Sequence, residues 1–157
     1  MKNYASKLTG IFIRTSSILL FITAGLKLIS SFGSARILHT VDPIFHISFR
    51  HIFQVAAVVE LGVAVICLFS KNQKVQAGLI ALLASNFLLY RFGLYWQGYH
   101  NICPCLGSLT DSLHIPPENA DIVLKIILAY LLIGSYTSLL WLLWQYKKGI
   151  YSFMHAP

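Results

Sequence analysis

The stretch ISFRHIFQVAAVVELGVAVICLF, residues 47–69, decides the fold of this chain. Arg50 and Glu60 are its only formally charged residues, and a helix of this length crosses the roughly 30 Å hydrocarbon layer of a bilayer. Three further stretches have similar length and character, and they lie at 8–31, 75–97 and 122–146. None of the four shows the period-two alternation of a membrane β-strand. The sequence therefore predicts an all-α fold, an integral membrane four-helix bundle that forms one transmembrane domain over residues 1–157.

The amino-acid composition separates the chain from soluble domains. Of 157 residues, 57% are hydrophobic and 11% are charged, and the mean hydropathy is +0.69. The net charge of +7 is spread among the apolar stretches and forms no basic block. We therefore expect the lipid bilayer, and no nucleic acid, as the partner of this charge.

The distribution of charge among the connections predicts the orientation of the helices. Lysines flank the first stretch, the connection between the second and third, and the end of the fourth: Lys2, Lys7, Lys71, Lys74, Lys147 and Lys148. Acidic residues occupy the other two connections: Asp42, Asp111, Glu118 and Asp121. The positive-inside rule then places both termini in the cytoplasm of a bacterial cell and the acidic loops on the periplasmic or exterior face of the inner membrane.

A pair of thiols lies in the longest of these connections. Cys103-Pro104-Cys105-Leu106-Gly107 would close, on oxidation, into a very small ring, and strain in such a ring makes the bond easier to reduce. His100, three residues before Cys103, is a candidate proton acceptor for a neighbouring thiol. The remaining cysteine, Cys67, falls near the opposite end of the second helix, and we expect it to be a small buried apolar residue.

Each predicted helix also offers a basic side chain near this cysteine loop. These are Lys27, Arg50, Arg91 and Lys125. Their convergence on the loop would favour thiolate over thiol and lower the pKa of the cysteines. Snorkelling of the same side chains toward the membrane interface is the alternative.

Two ionisable residues deeper in the predicted helices are candidates for an ion pair. Arg14 in the first helix and Glu60 in the second fall at comparable depths, so we expect them to lie in one layer. Such a pair would orient two helices, and a role in proton movement is the alternative.

Metal and cofactor sites are weakly indicated. Zinc motifs usually separate paired cysteines by two or more residues, and a separation of one residue makes it difficult for both thiolates to coordinate the same metal ion. We therefore predict no metal site. A quinone is a candidate ligand for the aromatic group before the cysteine loop, although an interfacial belt explains the same residues. The group consists of Tyr90, Tyr95, Trp96 and Tyr99.

Three features, taken in order along the chain, resemble the MauE/DoxX-like family of small four-helix membrane proteins. They are Ala24-Gly25-Leu26-Lys27 in the first helix, Glu60 in the second, and Cys103-Pro104-Cys105-Leu106-Gly107 after the third. The resemblance implies periplasmic thiol–disulfide handling beside a thioredoxin-like partner, with the redox role at Cys103 and Cys105. Lys27 and Glu60 would have structural or supporting roles. The chain departs from the commoner Cys-Gly-Cys-Phe-Gly form at Pro104 and Leu106, and it lacks the usual Arg-Asn near the start of the last helix, with Lys125 nearby instead.

The sequence thus predicts a membrane-embedded thiol–disulfide redox protein that exchanges electrons with a thioredoxin-like or disulfide-bearing client protein. It does not decide between an oxidoreductase and its accessory subunit, or whether the protein is a homo-oligomer. A non-enzymatic scaffold and a small transporter that uses Glu60, Arg14 and Arg91 are the alternatives.

Overall fold

The computed structural model describes residues 2–33, 36–98 and 117–154. In these ranges the chain forms four α-helices and one short 3₁₀ turn, Arg36–His39. The helices are α1, Lys2–Ser31; α2, Phe49–Phe69; α3, Gln73–Trp96; and α4, Pro117–Met154. The predicted all-α four-helix fold is confirmed.

Each helix contains a segment long and apolar enough to cross a membrane. The segments are Lys7–Ser31, Phe49–Phe69, Gln73–Trp96 and Asp121–Gln145. They agree closely with the stretches predicted from the sequence, and they confirm a multi-pass membrane protein. Pro117 is compatible with the first position of α4, where no backbone N–H is needed.

The four helices associate as two antiparallel pairs. Helix α1 packs along α2, and α3 packs along α4, whereas the contacts between the two pairs are fewer. We call the end of the bundle at Ser31, Phe49, Trp96 and Pro117 the loop end. We call the opposite end, where residues 70–72 join α2 to α3, the hairpin end.

The largest buried cluster draws side chains from all four helices. Its members are Ile13, Leu20, Ala64, Cys67, Ile80, Leu83, Ala84 and Leu131. Several are small, which lets membrane helices approach closely in the absence of a hydrophobic driving force. Cys67 is 3% exposed, so its predicted role as a small buried residue is confirmed.

The hairpin end is held by the side chain of Gln76. Its Nε2 donates to the backbone oxygens of Cys67 at 2.7 Å and Ser70 at 2.6 Å, which satisfies carbonyls that the end of α2 leaves without partners. Asn72 begins α3 by accepting a hydrogen bond from the backbone N–H of Lys74. This short connection fixes the antiparallel arrangement of α2 and α3.

The connection between α1 and α2 folds back across the loop end. Asp42 is fully buried, and its Oδ1 accepts hydrogen bonds from the backbone N–H groups of Ile44 at 2.8 Å and Phe45 at 2.7 Å. The tight turn continues through His46, which has a φ of 57°. Residues 40–49 therefore form a small closed loop, and its conformation depends on the buried carboxylate.

A glycine in α4 lies directly against an aromatic side chain of α1. A Cβ atom on Gly134 would lie 2.1 Å from Cε2 of Phe12 in α1. The Phe12 ring also packs against the Tyr130 ring, with centroids 5.4 Å apart. Any larger side chain at position 134 must displace this ring.

We therefore expect Gly134→Ala to lower the free energy of unfolding by about 1–3 kcal/mol through overpacking. Gly78→Ala in α3 is the matched control, since a Cβ there meets no atom within 4 Å. Thermal unfolding in detergent compares the two variants with the unmodified protein. Equal behaviour of the two variants would contradict the proposed contact.

Candidate functional site

An ion pair between α1 and α2 lies inside the bundle. The Nζ atom of Lys27 donates to Oε1 of Glu60, and the two side chains are 12% and 2% exposed. Thr23 donates to the other carboxylate oxygen at 3.2 Å. The Lys27 Nζ also lies 4.5 Å from the centroid of the Phe87 ring in α3, a cation–π distance. This carboxylate therefore has a charged partner and a hydrogen-bond donor within the membrane segment.

The direction of the side chains explains why Lys27 and Glu60 meet. In an α-helix the Cα–Cβ bond tilts toward the N-terminus. Lys27 lies near the loop end of α1 and leans inward, whereas Glu60 lies near the middle of α2 and leans toward the loop end. Because the helices are antiparallel, the two side chains converge.

The expected pairing of Arg14 with Glu60 is wrong. Glu60 is level with Thr23 and Lys27, and Arg14 precedes Thr23 by about 13 Å along α1 at 1.5 Å per residue. Arg14 instead lines a cavity at the hairpin end with Lys71 and Gln73. Counting residues along each helix placed Arg14 and Glu60 in one layer, but it ignored the opposite lean of the side chains.

A second charged group joins α3 to α4 near the loop end. The Oδ1 atom of Asp121 accepts a hydrogen bond from Nη2 of Arg91. The Oδ2 atom of Asp121 lies 2.7 Å from Nζ of Lys125. Arg91 and Asp121 are 21% and 16% exposed, whereas Lys125 is 65% exposed. The pair of Arg91 and Asp121 thus lies partly buried, and Lys125 extends it toward the surroundings.

These contacts qualify the expected convergence of basic side chains on the cysteine loop. Lys27 and Arg91 each face a carboxylate, which offsets the field of the cation. Arg50 donates to the backbone oxygen of Gly33 at 3.1 Å and lies 3.4 Å from Nε2 of His39. The convergence itself stays a prediction, because the predicted redox and proton-accepting residues lie outside the described residues. Those residues are His100, Cys103 and Cys105.

A cavity of about 80 Å³ lies between the two helix pairs beside the ion pair. Its polar side consists of Thr23, Lys27, Glu60, Tyr90 and Arg91. Its apolar side includes four residues of α4, which are Leu124, Ile127, Leu128 and Leu131. This volume has room for a few water molecules, and the polar side supplies partners for them.

A larger apolar cavity of about 410 Å³ opens between α2 and α3. Lys27, Phe87 and Tyr90 line both cavities. The larger volume falls within the roughly 300–1,000 Å³ typical of small-molecule sites. A quinone as its ligand stays a prediction. Tyr95 and Trp96 are 66% and 78% exposed, as expected of interfacial anchors, and they line neither cavity.

Asp42 and Tyr90 position the site through a contact that the sequence did not predict. The Tyr90 hydroxyl donates to Oδ2 of Asp42, and the rings of Tyr90 and Phe45 stack with centroids 6.0 Å apart. These contacts hold the closed loop 40–49 against α3 beside both cavities. The sequence marked Asp42 only as an acidic residue of a connection and Tyr90 only as a member of the aromatic group.

The part of the chain with described coordinates offers no group of three or more His, Cys, Asp or Glu side chains placed to hold a metal ion. Comparisons with protein-family models, curated proteins and solved structures found no match. The resemblance to MauE/DoxX-like proteins accordingly stays a hypothesis based on the residues that carry it.

The burial of the Lys27–Glu60 pair predicts how charge removal changes the free energy of unfolding. Glu60→Leu or Lys27→Met leaves the other charge without its partner, and we expect each to lower the free energy of unfolding by about 3–5 kcal/mol. The double variant Lys27→Met/Glu60→Leu removes both charges, and we expect it to be close to the unmodified protein. Unfolding in mixed detergent micelles measures all four proteins. Losses that simply add in the double variant would show that the charges are not coupled.

Proposed function

We propose that this protein is a membrane-embedded thiol–disulfide redox protein. In this proposal Cys103 and Cys105 exchange electrons with a thioredoxin-like or disulfide-bearing client protein at the periplasmic face of a bacterial inner membrane. Both termini lie in the cytoplasm. The observation that carries the proposal is the position of the Cys-Pro-Cys sequence in the connection between α3 and α4, two helices that the Arg91–Asp121 pair ties together.

The anchoring of α3 to α4 supports this role. Arg91 and Asp121 lie within about one and a half turns of Trp96 and Pro117, the helix ends that flank the connection. The base of the cysteine-bearing segment is thus fixed on both sides by one charged contact. The two anchored helix ends therefore set where this connection leaves and re-enters the bundle.

Local charge gives a second line of support. Two cations, Arg91 and Lys125, share the single carboxylate of Asp121, so this group carries one unit of net positive charge. Positive charge near a thiol favours the thiolate, which is the nucleophile in thiol–disulfide exchange. The Lys27–Glu60 pair is neutral as a unit and contributes little to this field.

The proposed exchange balances within the two proteins. One cysteine thiolate attacks a disulfide of the client, which forms a mixed disulfide and releases one client thiolate. The second cysteine, as thiolate, attacks the mixed disulfide and releases the other client sulfur. The client disulfide gains two electrons, and Cys103 and Cys105 become a disulfide. A dithiol of a thioredoxin-like partner reduces that disulfide by the same two steps, and the reverse sequence of steps would oxidise a client dithiol.

The described residues favour this function over transport through the bundle. A polar path would have to connect Arg14 with Glu60 and Arg91. Arg14 lines a cavity at the hairpin end, whereas Glu60 and Arg91 line the cavity between the helix pairs. The buried apolar cluster, which includes Ile13 and Leu20, lies along α1 between the levels of Gly10 and Thr23.

The mechanism predicts a trapped intermediate. In a Cys67→Ser background, replacing the resolving cysteine with Ser stops the reaction at the mixed disulfide. We therefore expect one of the two variants, Cys103→Ser or Cys105→Ser, to accumulate a covalent complex in membranes. Non-reducing electrophoresis after acid quenching and thiol alkylation detects the complex, and mass spectrometry identifies the client.

The double variant Cys103→Ser/Cys105→Ser is the matched control, because it retains the fold and lacks both sulfurs. It should form no such complex. If neither single variant forms one, or if the double variant forms the same one, a static scaffold explains the cysteines better than exchange does.

A further inference from the structure

Arg14 lies about two turns inside a membrane segment. It lies within Lys7–Ser31, it is exposed, and the described residues give it no ion pair. The three carboxylates whose side chains the structure describes, Asp42, Glu60 and Asp121, bond to other groups at the middle or the loop end of the bundle. A cation at this depth needs an anion from outside the described protein or a route to water.

The geometry directs Arg14 toward the hairpin end. Gly10 is level with Gln73, since a Cβ on Gly10 would lie 3.7 Å from Nε2 of Gln73. Arg14 follows about one turn deeper, and its side chain leans back toward the N-terminus of α1. There it lines an open cavity of about 350 Å³ together with Lys71. Two basic side chains thus share one cavity at the edge of the apolar segment.

The cavity is amphiphilic along the direction of the membrane normal. Leu68, 50% exposed, lines it beside the last turn of α2, and Ile18, 55% exposed, lines it about one turn beyond Arg14, on the side away from the hairpin end. The basic groups of Arg14 and Lys71 lie nearer that end. This order, with charge toward the interface and apolar side chains toward the midplane, is the order of a phospholipid with its headgroup outward.

We propose that this cavity binds an anionic phospholipid. Its phosphate lies between the guanidinium of Arg14 and the ammonium of Lys71, and an acyl chain follows Ile18 and Leu68. The lipid supplies the counter-charge that the described carboxylates do not supply to Arg14. Guanidinium and phosphate form charge-assisted hydrogen bonds, which are stronger where water is scarce. The site is independent of the proposed redox function, which concerns the opposite end of the bundle.

Native mass spectrometry of the purified full-length protein tests this proposal. The protein is delipidated in detergent and titrated with phosphatidylglycerol or with phosphatidylcholine of the same acyl chains. We expect the unmodified protein to retain one phosphatidylglycerol in preference to phosphatidylcholine. Arg14→Gln should weaken the binding of phosphatidylglycerol by about fivefold to tenfold, as expected for the loss of one basic contact to the headgroup.

Lys7→Gln is the matched control. It removes one positive charge from the same helix and the same end of the bundle, but Lys7 does not line the cavity. We expect it to change the affinity by less than about twofold, because an exposed charge is screened. Circular dichroism and size-exclusion chromatography establish that each variant is folded. If Arg14→Gln does not fold, Lys71→Gln removes the second basic group of the cavity and should show the same loss.

Three results would overturn the proposal. The first is unchanged binding of phosphatidylglycerol by folded Arg14→Gln, or by Lys71→Gln where that variant replaces it. The second is an equal loss in Lys7→Gln, which would indicate general attraction to basic charge. The third is displacement of phosphatidylglycerol by equimolar inorganic phosphate, which would indicate a site for free phosphate instead of a lipid.

Discussion

An ionised side chain in hydrocarbon needs an opposite charge or access to the interface, and this constraint organises the bundle. Each antiparallel helix pair meets it with one internal ion pair. Lys27 and Glu60 join α1 to α2, and Arg91 and Asp121 join α3 to α4. Such pairs fix which faces of the helices meet, because a shift by one turn would separate the charges by about 5 Å. The weaker contacts between the two pairs leave room for the cavities that Lys27 lines.

The loop end and the hairpin end are built differently. At the loop end, the buried Asp42 closes residues 40–49 into a compact loop, and Tyr90 holds that loop against α3. At the hairpin end, Gln76 closes the end of α2, and the surface carries basic residues such as Lys71 and Arg14. The proposed thiol chemistry belongs to the first end, and the proposed lipid site belongs to the second. A protein with chemistry at one face and lipid anchoring at the other would keep a fixed depth in the bilayer.

The sequence predicted the membrane segments well because a long apolar run has few alternatives to a helix in lipid. It predicted the wrong partner for Glu60 because the depth of a Cα atom differs from the depth of a charged group on a long side chain. Lys27 was assigned to the cysteine loop, yet its side chain extends inward to Glu60. Tyr90 was grouped with the exposed aromatic residues, because composition cannot tell a ring that donates to a buried carboxylate from one that faces lipid.

The most direct test of the proposed function is the reduction potential of the Cys103/Cys105 pair. The protein, with Cys67→Ser as background, is equilibrated in membranes with defined thiol–disulfide buffers, and free thiols are trapped and counted by mass. The account predicts a reversible pair with a potential well above about −300 mV, the level below which structural disulfides typically lie. A disulfide that is not reduced at any potential above about −300 mV, or thiols that never oxidise, would contradict it.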